Sequence, residues 1–79
     1  MDIAMATIYI YLKNEGTDVW RPVQAEPVSG NAYRIVSVNT DLEDEEWEFD
    51  TGELVRCESR VFSGGKTGLV AVERLSATI

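Results

Sequence analysis

Short runs of alternating hydrophobic and polar residues, separated by turn-forming residues, make up most of the chain. In residues 7 to 12, three aliphatic side chains alternate with two tyrosines: Ile8, Ile10 and Leu12 with Tyr9 and Tyr11. A period of two in β-branched and aromatic residues is typical of a strand with one face in the core. We therefore predict a first strand here, followed by a turn over residues 13 to 18, where Asn and Gly accept a positive φ.

Two further strands are predicted in the next twenty residues. Residues 19 to 28 are extended in pattern, but Pro22 and Pro27 have no N–H to donate, so this strand should be bent, bulged or at an edge. Residues 29 to 31 are typical of a tight hairpin turn. The strand predicted for residues 32 to 39 changes phase at Ile35 and Val36, which indicates a bulge there.

The second half of the chain shows the same period. Two aromatic residues at strand spacing are expected to point into the core while the neighbouring carboxylates face water: Trp47 and Phe49. Residues 53 to 62 then split into two faces: Val55, Cys57, Ser59 and Val61 on the core face, and Arg56, Glu58 and Arg60 on the solvent face.

The end of the chain is less sharply patterned. After a glycine-rich loop at residues 63 to 68, residues 69 to 75 predict a last strand with Val70 and Val72 inward. A short helix over residues 70 to 77 is the alternative. Residues 76 to 79 are either a frayed tail or a contact for a neighbour.

These elements predict the fold class. A chain of 79 residues forms one domain. Five or six short antiparallel strands in that length protect their edges best when the sheet closes into a small barrel. We expect an all-β, Src-homology-three-like small barrel or roll over residues 1 to 79, with residues 1 to 5 as a flexible extension.

The negative charge of the chain is concentrated in one segment. The formal net charge is −7, and eight acids between residues 41 and 53, with no Lys or Arg among them, account for it; without them the chain would carry +1. Binding to phosphate backbones or to anionic lipid needs clustered cations, so neither nucleic acid nor a membrane is an expected partner.

One cysteine, Cys57, excludes an internal disulfide and favours a reducing, cytoplasmic location. The first residues have no cationic region, and the apolar run that follows is too short for a signal-peptide core or a membrane span. Because the chain has no His to activate the thiol, Cys57 is expected to be a buried structural residue rather than a nucleophile.

Two motif-like strings do not satisfy their motifs. Gly64-Gly65-Lys66-Thr67 resembles the end of a phosphate-binding loop, but Arg60 stands where the first Gly is required. The acids from Asp41 onward have Glu46 and Gly52 where a calcium-binding EF-hand needs Gly and Glu. We expect no cofactor, no metal and no enzymatic activity, with a loose carboxylate site for Ca²⁺ or Mg²⁺ as the alternative in the acidic segment.

Aromatic residues are the main candidates for binding. Outward-facing Trp and Tyr rings on a small barrel can recognise peptides by stacking and by cation–π contacts. Tyr9, Tyr11 and Trp20 are the candidate residues, although the neighbours of Trp20 permit either a core or a surface position. Plain core packing is favoured for Trp47.

Two kinds of partner are therefore expected. The first is a protein, or a second copy of the chain in a homodimer, because so small a barrel has more apolar surface than its core can hide. The alternative is a basic partner. In that case this protein would itself be an inhibitor or nucleic-acid mimic that docks the partner through the acidic segment, with these candidate residues: Glu43, Asp44, Glu45 and Glu46.

Four strings, DVWRPV, YRI, EWEF and GELVRC, occupy residues 18–23, 33–35, 46–49 and 52–57. They resemble strings in a group of very short bacterial proteins of unassigned function, over roughly residues 7 to 60. The resemblance implies no activity; cargo genes of mobile elements often encode proteins of this size. The ALYDY-type strand and the Trp-Trp pair of Src-homology-three domains are both absent, so the ligands of that family are not implied.

Overall fold

The computed structural model describes residues 5–16, 19–38, 45–62 and 64–75. The described residues contain strands and turns but no helix, and hence no helix that could cross a membrane. The strands, in chain order, are β1 (Ala6–Lys13), β2 (Trp20–Ser29), β3 (Ala32–Ile35), β4 (Glu46–Trp47), β5 (Leu54–Val61) and β6 (Thr67–Arg74).

Hydrogen bonding closes these strands into a ring. β1 pairs with β2, β2 with β3, β3 with β5, β5 with β6, and β6 returns to β1, while β4 adds to the end of β1. The predicted all-β small barrel or roll is confirmed. All pairings are antiparallel except β1 with β6. A ring of five strands that alternate in direction must close on one parallel pair, which the strand pattern did not predict.

The core lies inside this ring and includes the aliphatic face of β1. Trp47 and Phe49 are 7% and 5% exposed and belong to the core, as predicted. The other buried residues of the cluster come from every strand of the ring: Ile8, Ile10, Leu12, Val23, Ala25, Ile35, Val55, Cys57 and Ala71.

β2 is bulged, one of the three alternatives that its prolines predicted. Its first half pairs with β1 and its second half with β3, and the register with β3 shifts between Pro27 and Ser29. The turn to β3 is a two-residue hairpin whose first central residue, Gly30, has φ of 50°. A positive φ at this position alone is the arrangement of a type II′ turn, which glycine adopts without strain.

β3 is shorter than predicted. It ends at Ile35, and the amides of Val36 and Ser37 both donate to the carbonyl oxygen of Gln24, at 2.9 and 3.2 Å. Two residues that oppose one on the neighbouring strand form a bulge, so the bulge predicted from the phase change at Ile35 and Val36 is confirmed. Val36 and Val38 are exposed beyond it, and Asn39 lies outside the described residues.

The β5–β6 hairpin differs from the predicted faces in two places. Ser59 and Val61 are exposed, because the hairpin extends past the core. Val72 is 37% exposed rather than inward, because the register with β5 shifts and Ala71 takes the core position opposite Cys57. Residues 70 to 74 form a strand and not the alternative helix, and residues 76 to 79 lie outside the described range.

Candidate functional site

The tyrosines of β1 lie on the outside of the barrel. Because Ile8, Ile10 and Leu12 point into the core, the strand period directs Tyr9 and Tyr11 to the opposite face. Tyr11 is directly opposite Trp20 on β2, and their ring centres lie 5.4 Å apart in an edge-to-face arrangement. The structure therefore brings the three aromatic candidates together on one outer face.

A fourth ring, which sequence reasoning missed, completes this group. The centre of the Phe62 ring lies 4.9 Å from that of Tyr9 and 6.0 Å from that of Trp20. We call these four half-buried residues the aromatic surface: Tyr9, Tyr11, Trp20 and Phe62. The signal was present in the period of β5, since Phe62 follows the outward positions Glu58 and Arg60.

Gly68 on β6 lies beneath two of these rings. A Cβ atom placed on it would be 2.8 Å from Cε1 of Tyr9 and 2.9 Å from Cε2 of Phe62. Its φ is not positive, so glycine is required here for space rather than for backbone conformation. Only the absence of a side chain at Gly68 allows the rings of Tyr9 and Phe62, which come from either side of β6, to meet above it.

Arg60 adds a positive charge to the aromatic surface. Its guanidinium carbon lies 5.2 Å from the centre of the Trp20 ring, a cation–π distance. Among the described residues no carboxylate forms an ion pair with Arg60 or with Lys66 in the adjoining loop, whereas four other cations are paired: Lys13, Arg21, Arg56 and Arg74. The guanidinium beside the aromatic surface thus carries a positive charge that no described carboxylate pairs, on a protein whose formal net charge is −7.

The acidic candidates that the structure describes are engaged within the chain. Glu45 is 12% exposed, pairs with Arg21 and accepts a hydrogen bond of 3.1 Å from the indole Nε1 of Trp47. Glu46 pairs with Lys13 at 3.2 Å and accepts a hydrogen bond from Asn14. The other two candidates, Glu43 and Asp44, lie outside the described residues, as does Asp41.

Glu53, the last acid of this segment, also has a structural role. It pairs with Arg74 and accepts a hydrogen bond of 2.6 Å from the amide of Asp50, which closes the turn before β5. The hydrogen bond from Arg74 lowers the pKa of Glu53 below its ordinary value of 4.5, against a smaller opposing effect of burial. The same pairing raises the pKa of Arg74.

Cys57 is buried in the core, as predicted, with its side chain 1% exposed. Burial raises the pKa of its thiol to about 11, so at neutral pH the residue is a thiol and not a nucleophilic thiolate. Within the described ranges, no group of three or more His, Cys, Asp or Glu side chains is placed to hold a metal ion.

The glycine-rich string is a hairpin loop. Gly64 and Gly65 have φ of 89° and 84°, and Thr67 begins β6 rather than a helix. The amide of Phe62 donates to the carbonyl oxygen of Lys66 at 2.6 Å, which closes the loop. A phosphate-binding loop requires a helix N-terminus after Thr67, so this string is not one.

Comparison of the chain with protein-family models, with curated proteins and with solved structures gave no match. The candidate site is therefore defined by its own geometry.

Proposed function

We propose that this protein is a non-enzymatic protein-interaction module that contacts its partner through the aromatic surface. The observation that carries the proposal is the position of four half-buried rings and Arg60 on the outer face of the barrel, where the rings are not part of the core cluster. Aromatic residues and Arg are the residue types that contribute most to binding at protein interfaces.

The energetic argument favours a partner that covers the rings. Each large aromatic side chain contributes on the order of 1.5–3 kcal/mol when it passes from exposed to buried. The four rings retain part of their surface in water, so a partner gains the remainder. Their mutual contacts, two edge-to-face and one tilted, hold the rings in place before binding, which reduces the entropy that binding costs.

The acidic segment supports a docking function less well. Glu45, Glu46 and Glu53 each pair with a cation of the same chain, which neutralises part of the charge that a basic partner would meet. We therefore place the binding function on the aromatic surface and keep the acidic segment as the competing outcome of the test.

Capture from a lysate of the host, analysed by mass spectrometry, tests the proposal. Four immobilised baits are compared: wild type, the double variant Trp20→Ala/Phe62→Ala, the matched control Val38→Ala, and the charge variant Glu46→Lys. Val38 is 67% exposed and lies outside the aromatic surface, so its truncation removes apolar area elsewhere. Each variant is first checked for folding by circular dichroism.

A partner retained by wild type, Val38→Ala and Glu46→Lys but lost by the double variant supports the proposal. Loss with Glu46→Lys alone assigns the function to the acidic segment and contradicts it. Sedimentation of the purified protein covers the remaining partner, a second copy of the chain: a dimer that the double variant converts to a monomer also supports the proposal.

A further inference from the structure

Next to the aromatic surface, part of one edge of β5 has no neighbouring strand among the described residues; we call this part the open edge. β3 pairs with β5 only from Leu54 to Arg56, and the last contact on that side is the hydrogen bond from the Cys57 amide to the Asn31 carbonyl oxygen at 2.9 Å. β6 continues to pair with the other edge as far as Val61. Residues 58 to 61 of β5 therefore have a neighbour on one edge only, among the residues that the structure describes.

The backbone direction of each residue follows from three hydrogen bonds. The carbonyl oxygen of Leu54 accepts from the amide of Leu75, and the amide of Phe62 donates to the carbonyl oxygen of Lys66, so the backbone N–H and C=O groups of the even-numbered residues of this strand point toward β6. The amide of Cys57 points toward β3, and the backbone groups of the other odd-numbered residues point to the same side. The N–H and C=O groups of Ser59 and Val61 therefore point out from the open edge, where an added strand could pair with them.

The side chains along this edge differ in character. Arg60 points to the outer face, over Trp20, with no ion pair among the described residues, whereas Glu58 on the same face is paired with Arg56 at 2.6 Å. Val61, on the opposite face, is 67% exposed. A strand laid against β5 would place one of its side chains about 4.5–5.5 Å from Arg60, measured between Cβ atoms.

We infer that the partner binds as an extended peptide that adds a strand to β5 along residues 58 to 61, with a carboxylate side chain opposite Arg60 and an apolar side chain opposite Val61. This inference rests on the proposed function, because the added strand would lie beside the aromatic surface. A guanidinium stacked on a ring keeps N–H donors for a carboxylate. A cationic ligand, such as a methylated lysine, would instead be repelled by Arg60, whose guanidinium already lies over the Trp20 ring.

A selection experiment tests the inference. A displayed library of linear twelve-residue peptides is selected on the immobilised wild-type protein, and enriched peptides are synthesised and titrated by fluorescence polarisation. We expect enrichment of Asp or Glu next to an aliphatic residue. A twenty-residue oligothymidylate is titrated in parallel, and tighter binding of this probe than of any selected peptide would overturn the inference in favour of single-stranded nucleic acid.

Two variants address the edge and the charge separately. Ser59→Pro removes the outward N–H without removing a ladder hydrogen bond to β6, and its matched control Ser59→Ala keeps that N–H. We expect Ser59→Pro to weaken binding at least about tenfold and Ser59→Ala to leave it unchanged. Arg60→Glu should weaken binding similarly, and replacing the carboxylate residue of the peptide with Lys should restore it. This exchange of charges tests the inference even if Ser59→Pro does not fold.

Failure of the inference is distinguishable from failure of the proposed function. Equal binding by Ser59→Pro and Ser59→Ala, or by Arg60→Glu and wild type, overturns the added strand. If Trp20→Ala nevertheless abolishes that binding, the aromatic surface is still the binding site and the proposed function stands. A library that yields no enriched peptide also overturns the inference, while the capture experiment continues to test the proposed function.

Discussion

The rings of Tyr9 and Phe62 lie 4.9 Å apart, above a glycine on the strand between them. Tyr9 is on β1 and Phe62 follows β5, so the contact spans β6 and ties the end of the β5–β6 hairpin to the body of the barrel. This contact determines the shape of the aromatic surface, since Phe62 also reaches Trp20.

Gly68→Ala should force this contact apart. The new methyl group would lie within 3 Å of both rings, closer than carbon atoms approach without repulsion, so one ring must move. We expect a loss of about 1–3 kcal/mol in the free energy of unfolding, the usual cost of overpacking, measured by urea denaturation. In the double variant Gly68→Ala/Phe62→Leu the smaller side chain makes room for the new methyl group. Its loss in the free energy of unfolding should therefore be smaller than the sum of the losses measured for the two single variants. Strict additivity would contradict the contact.

The two tryptophans should differ in their access to solvent. Trp47 is 7% exposed in the core, whereas Trp20 is half-buried on the outer face. Acrylamide quenching of the single-tryptophan variants separates them: Trp47→Phe, which retains Trp20, should be quenched severalfold more strongly than Trp20→Phe, which retains Trp47. Equal protection of both indoles would remove the aromatic surface as a binding site.

Glu45 should be important for stability although it belongs to the acidic segment. Its carboxylate holds both Arg21 and the indole N–H of Trp47, and its side chain is 12% exposed. Glu45→Gln should lower the free energy of unfolding by about 1–2 kcal/mol, because charge-assisted hydrogen bonds are lost. The control Glu48→Gln, at an exposed neighbour, should stay within about 0.5 kcal/mol of wild type. Equal effects would show that Glu45 is only a solvated charge.

Glu53 should make stability depend on pH in the acid range. Its pKa is lowered in the folded state by Arg74, so its contribution is present above the unfolded value of about 4.5 and is lost as the pH falls through the folded value. The free energy of unfolding of wild type should exceed that of Glu53→Gln by at most about 1 kcal/mol at pH 7, since the pair is partly exposed. This difference, measured by urea denaturation at each pH, should shrink between pH 5 and pH 3. A constant difference would rule out this linkage.

The strand pattern was sufficient for much of the fold. Alternation in β1 placed Ile8 and Ile10 inside and Tyr9 outside, and the prolines of β2 indicated an irregular strand, which is bulged in the structure, because both signals depend only on local backbone geometry. The burial of Trp47 was likewise predictable from its spacing with Phe49 and the acids around them.

The pattern failed where a residue's environment depends on distant strands. Val61 continues the alternation of Val55 and Cys57 but is exposed, because none of the described strands covers that end of the hairpin. Val72 loses its core position to Ala71 through a register shift with β5, which local sequence does not encode. The period of β5 is enough to put Phe62 on the outer face, but its contacts with Tyr9 and Trp20 exist only in the folded hairpin.

By itself, the sequence determined an all-β chain with a two-faced first strand, a buried cysteine and an acidic segment, since composition and period are local properties. Only the tertiary structure decided that the acids Glu45, Glu46 and Glu53 are paired with cations, and that Arg60 stacks on Trp20 with no carboxylate partner among the described residues. The physical reason is that ion pairs and ring contacts act over a few ångströms in space. The closure of the barrel brings those partners within that distance.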